Sequence, residues 1–136
     1  MHSIRLRGPW EFYLPGSAEP RRMEMPATWQ TLLAFAGDSS LPSPARLLRR
    51  FGLPTGIEPT DRLHLVIESA SVACQVELNG QPLGSITPEQ HSNSFDVTAL
   101  LCPRNELLIL LQIPPGDSMA KSACPLLDVR LEIDGT

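Results

Sequence analysis

The chain has 136 residues, 42% of them hydrophobic and 19% charged, with a net charge of −4 and no block of like charge. That length suits one domain spanning 1–136 around one core. An acidic balance without a basic face excludes nucleic acid as a partner. No stretch approaches the roughly 20 apolar residues that cross a membrane.

Fourteen prolines predict many short elements joined by rigid turns. The three cysteines, Cys74, Cys102 and Cys124, have neither disulfide-framework nor zinc spacing, so free thiols in a reducing compartment are expected. Met1 to Arg7 holds no apolar run suited to a leader, which predicts a cytoplasmic protein.

In chain order, Ile4, Leu6, Trp10, Phe12 and Leu14 follow the period of two expected of a half-buried strand, with Gly8-Pro9 as a bend or bulge. Residues 15–44 form a proline-rich excursion. Within it Trp29, Leu32, Leu33 and Ala36 recur at helical spacing, with Thr28 as the cap and Gly37 as the stop. Leu47, Phe51 and Leu53 then share one strand face, and Arg49 falls on that same face. The pairs Arg21/Arg22 and Arg49/Arg50 read as surface or ion-pair residues.

Leu63, Leu65 and Ile67 make another strand, and Val72, Cys74, Val76 and Leu78 a further one. Asn79-Gly80 follows directly, a strong hairpin signal because both residues accept positive φ. The return strand runs from Leu83 to Ile86. Residues 87–94 are polar and read as a loop. Asp96 stands where it can accept hydrogen bonds from the next turn. Glu106 to Ile113 is nearly all apolar, as in a central strand covered on both faces. Leu127, Val129, Leu131 and Ile133 alternate with charged residues. About seven strands, one short helix and no internal repeat predict an all-β antiparallel β-sandwich.

Six segments in this order resemble the N-terminal sugar-binding domain of family 2 glycoside hydrolases, a jelly-roll sandwich of the galactose-binding type. They are Leu6-x-Gly8-x-Trp10-x-Phe12, Met25-Pro26-Ala27-Thr28-Trp29, Arg49-Arg50-Phe51-Gly52-Leu53-Pro54, Val76-x-Leu78-Asn79-Gly80-x-x-x-Gly84, Phe95-Asp96-Val97-Thr98-x-x-Leu101 and Leu127-Asp128-Val129-Arg130-Leu131. The resemblance implies a non-catalytic carbohydrate-binding module, because the family's catalytic glutamates lie in a downstream barrel outside these residues. The loop before Phe95 keeps the family's length but not its histidine, glycines and aromatic residues; Ile86, Pro88, Glu89, Gln90, Ser92 and Asn93 stand there instead.

Three groups are candidates for ligand binding. Glu89, His91 and Asn93 lie in the polar loop; the alternative is a solvated loop. Arg49, a charge on an inward face, needs a carboxylate or carbonyls; the alternative is a structural ion pair with Glu11 or Asp96. Trp29 offers a ring for a sugar face; the alternative is a place in the core.

His2, His64 and His91 have no metal-ligand spacing, and no nucleophile elbow or phosphate loop occurs. No catalytic residue, metal site or cofactor is therefore expected, and without an acidic cluster no structural calcium. The partner is read as a carbohydrate or, alternatively, a protein docking on a sandwich that has lost its sugar site. A third reading is one domain of a longer hydrolase.

Overall fold

The computed structural model describes residues 2–14, 19–36, 44–69, 72–113 and 123–135. Ten strands and one helix are present among them: β1 (His2–Arg5), β2 (Trp10–Tyr13), β3 (Arg21–Met23), α1 (Trp29–Ala36), β4 (Ala45–Gly52), β5 (Arg62–Ser69), β6 (Cys74–Leu78), β7 (Gln81–Ile86), β8 (Ser92–Asp96), β9 (Arg104–Leu111) and β10 (Leu126–Asp134). They form two antiparallel sheets, a four-stranded one in the order β1-β10-β5-β8 and a six-stranded one in the order β3-β2-β4-β9-β6-β7. This is the all-β sandwich that the alternation predicts.

The inward faces make the core. Trp10 and Phe12 of β2, Leu47 of β4 and Leu107, Ile109 and Leu111 of β9 are shut off from solvent. They meet Leu65, Ile67, Leu126 and Leu131 of the four-stranded sheet in one apolar cluster. Each such side chain contributes about 1.5–3 kcal/mol relative to an exposed one. The helix starts as its sequence predicts: the Thr31 amide donates to Thr28 Oγ1 at 3.2 Å, and Trp29 and Leu32 are buried. Gly37, the expected stop, lies outside the described residues.

Five expectations need correction. The segment from Ile4 to Leu14 is two strands in different sheets. β1 pairs with β10, the chain crosses at Gly8-Pro9, and β2 pairs with β3 and β4. The Trp10 indole donates to the Leu6 carbonyl at 2.7 Å and ties that crossing together. The proline-rich excursion contains a short strand, β3, along β2. Leu53 does not join the core; it lies past the end of β4 and is 42% exposed. Ser92 to Ser94, read as loop, start β8 and pair with β5, because backbone groups on a sheet edge find partners whatever the side chains.

The fifth correction concerns sheet faces. β9 is central in its sheet, but only its inner face is closed; on the other face Glu106 is exposed and Leu108 and Leu110 are half-buried. In β10 the alternation is also broken. The register shifts between Leu126 and Asp128, so Leu126 is fully buried while Leu127 is 50% exposed. An extra residue in one strand of a pair throws its side chain off the expected face.

Candidate functional site

The five residues singled out from the sequence do not converge. Ile86, Cys74, Leu111 and Ala45 lie in one row across the six-stranded sheet, and the loop 87–91 leaves beyond it. Arg49 lies in the row of Leu107 and Leu78, four positions along β4 and so about 13 Å away. Trp29 is buried against the core at 4% exposure, with its amide donating to the Ala123 carbonyl at 2.9 Å. It takes the core role rather than that of an exposed ring.

The loop spends its polar groups on itself and on β5. The Gln90 amide closes a turn onto the Thr87 carbonyl at 3.0 Å, and the Gln90 side-chain oxygen accepts from the Thr87 amide at 3.0 Å. The fully buried Ser69 fastens the loop: its amide donates to the His91 carbonyl at 2.9 Å and its hydroxyl to the Gln90 carbonyl at 3.2 Å. His91 Nδ1 lies 3.4 Å from the Ser69 carbonyl, and the Asn93 amide reaches the Gln90 carbonyl at 3.5 Å. Glu89 is exposed, and hydrogen bonding to Thr87 and to its own amide holds its carboxyl below the usual range. Nothing in the sequence marks Ser69 as the anchor.

Arg49 does lie on the inward face, half-buried. One guanidinium nitrogen donates to the Arg50 carbonyl, while Nε is buried without a hydrogen-bond partner. Burial lowers its pKa, and the charge of Glu24 opposes that shift. The expected partners are elsewhere. Glu11 pairs with Arg50, which also meets Glu106 at 3.1 Å. Asp96 accepts from the Thr98 amide at 3.0 Å and hydroxyl at 2.7 Å, the capping role read from its position.

Open grooves flank the sandwich among the described residues; one of about 360 Å³ lies beside His2, Ile57 and Asp61, and two others exceed it. The larger of those two, about 930 Å³, lies against Asn79, Cys102 and Asn105. Its polar floor is a closed knot. Asn79 Nδ2 donates to the Leu100 carbonyl and to Asn105 Oδ1, both at 3.0 Å, while its Oδ1 accepts from the Glu106 amide at 2.8 Å. Asn105, 1% exposed, accepts from the Cys102 amide and donates to the Cys102 carbonyl, both at 2.8 Å. Asn79, read only as a hairpin residue, does adopt positive φ, at 53°, but its side chain is equally structural. The smaller of the two, about 410 Å³, lies beside the β10 bulge between Arg5, Arg7, Pro26 and Leu127.

This architecture is that of β-sandwich portions of known carbohydrate-active enzymes. The chain is similar to a FMN-binding beta-glucuronidase from Facaelibacterium prausnitzii L2-6, with a TM-score of 0.71 and 22% identity over 96% of this chain and 22% of that one. It is similar to a Bacteroides uniformis beta-glucuronidase, with a TM-score of 0.74 and 18% identity over 98% of this chain and 18% of that one. A beta-D-mannosidase from Dictyoglomus thermophilum gives a TM-score of 0.71 and 17% identity over 97% of this chain and 22% of that one. The chain thus spans about a fifth of each of these enzymes. No protein-family model matches it, and no curated protein matches it in sequence. At these identities the likeness establishes the shared fold.

Proposed function

We propose that this sandwich is a non-catalytic accessory module of the family 2 glycoside hydrolase type, and that its task is to bind carbohydrate. The observation that carries this reading is the similarity of nearly the whole chain to about a fifth of the length of enzymes named for glucuronides and mannosides. The ordering of the six sequence segments supports it independently of the coordinates. Five of its carboxylates are engaged by arginines: Glu11 and Glu106 by Arg50, and Glu68, Asp128 and Glu132 by Arg130. Glycoside hydrolysis needs two carboxyl groups facing one bond, a task that this reading assigns to a separate barrel.

The test is a titration of the ¹⁵N-labelled chain with a panel of mono- and oligosaccharides, read by amide shifts. Saturable shifts with at least one sugar are expected. A folded sample with flat shifts across the panel sinks the reading.

One observation favours a second reading, a protein-docking module. All seven aromatic side chains are buried or half-buried, so no ring stands clear to stack on a sugar face. Sedimentation and cross-linking in host extract separate the two. A strictly monomeric chain that captures no reproducible partner removes this second reading.

A further inference from the structure

The geometry points to the groove beside the β10 bulge as a saccharide cleft that takes one neutral hexopyranose unit. This rests on the carbohydrate reading and adds a location and a chemistry to it.

A pyranose presents hydroxyls that both donate and accept, and an apolar C–H face. A cleft for it needs donors, acceptors and an apolar wall within a volume of a few hundred Å³. The groove supplies all three at about 410 Å³. Leu127 and Pro26 form the apolar wall. Leu127 is one of only two large hydrophobic side chains exposed among the described residues, and it is there because the bulge turns it outward.

Arg5 and Arg7 supply the donors. Alternation along the first strand sends Leu6 into the core and both arginines to solvent. Arg5 stands directly opposite Arg130 across the β1–β10 pair, and like charges so placed repel. Arg130 has taken the nearby acids, with Asp128 at 2.7 Å, Glu132 at 2.9 Å and Glu68 at 3.5 Å. Among the described residues, neither Arg5 nor Arg7 has an ion pair.

Asp128 and Glu68 also line the groove. Arg130 holds one oxygen of each, Asp128 Oδ2 and Glu68 Oε1. Their other oxygens take no hydrogen bond from the described residues and can accept from sugar hydroxyls. The lining carries two arginines and two carboxylates, and a lining without net charge suits a neutral polyol better than an anion. In the larger groove the amides of Asn79 and Asn105 are spent on each other and on backbone groups, and Arg50 and Glu106 are spent on each other.

The test uses the full chain with methyl β-D-glucopyranoside, methyl β-D-galactopyranoside, methyl β-D-mannopyranoside and glucuronate. Concentrations rise to about 50 mM, enough to detect millimolar dissociation constants. Saturable amide shifts are expected at Arg7, Leu127 and Asp128 with a neutral glycoside. Arg7→Ala and Leu127→Ser should each weaken that binding by about tenfold. Both positions are exposed, so the remaining spectrum should stay unchanged and report an intact fold. Shifts centred on Glu89 to Asn93, or binding that both variants retain, overturn the cleft while leaving the carbohydrate reading in place. Binding of glucuronate alone overturns the neutral assignment. No shift with any sugar overturns cleft and reading together.

Discussion

The two grooves contain polar side chains in similar number but opposite circumstances. At the Asn79–Asn105 end, Asn105 is buried and Asn79 half-buried, and each side-chain nitrogen and oxygen has a partner within the chain. Beside the β10 bulge, Arg5 and Arg7 remain in water with no ion pair among the described residues. A polar group that loses water must be paired or it costs free energy, so the first set is committed to holding the fold. Among the described residues the side chains of Arg5 and Arg7 satisfy no buried group of the fold and are left for something else. Concavity alone does not distinguish them; the fate of their hydrogen-bonding groups does.

The largest effect should come from cutting the knot. Asn105→Ala removes bonds to the Cys102 amide and carbonyl and to Asn79 and strands the partners in a buried place. A loss of about 3 kcal/mol in urea unfolding is expected. Arg7→Ala, by contrast, should stay within about 0.5 kcal/mol of the parent. Equal losses in the two variants would erase the distinction between the grooves.

Arg49 sits between these extremes, with a buried Nε lacking a partner. If it contributes nothing by pairing, Arg49→Met keeps the packing of the stem and relieves that desolvation. Stability should then be unchanged or rise by about 1 kcal/mol. A loss above that size would show that the nearby Glu24 charge does form a structural pair.

The cysteines sharpen the contrast chemically. Burial pushes the Cys74 thiol up to about 11, and only the thiolate reacts. Cys102 is exposed. In mildly alkaline solution a thiol reagent should modify Cys102 at once and Cys74 only on unfolding. The sign of the linkage is fixed: the folded state holds the Cys74 proton more tightly. Its contribution is present below the ordinary thiol value and is lost as pH rises towards 11.

Much of the fold was legible because period-two alternation is written one strand at a time, in side chains such as Leu63, Leu65 and Ile67. What escaped depended on pairing. The crossover at Gly8-Pro9 keeps the alternation while changing sheets, so Leu6 and Trp10 read as one strand. Ser92 to Ser94 join a sheet through their backbone, which their polar side chains do not announce. The groove had a readable sign: two adjacent leucines, Leu126 and Leu127, cannot both face inward in a regular strand. The candidate ligand residues were chosen by residue type. Type cannot show that His91 and Asn93 are already hydrogen-bonded or that Trp29 is covered.

The smallest effect concerns Asp96, which is fully exposed and therefore tests hydrogen bonding without burial. The Thr98 hydroxyl and amide hold its carboxyl below the ordinary value of about 3.8. A depressed carboxyl stabilises the fold above its unfolded value and loses that contribution as pH falls through the folded one. The Asp96–Thr98 turn is tied to β5, since the Leu63 amide donates to Thr98 Oγ1 at 2.9 Å. Acid should therefore loosen the start of β5 before it reaches the Asn79–Asn105 knot, whose amides do not titrate. Hydrogen exchange should show Leu63 losing protection below pH 3.8 while Glu106 keeps its own. In Asp96→Asn the acid-dependent part of that loss should vanish. Persistence of the same pH slope in the variant would remove the Asp96–Thr98 turn as its source.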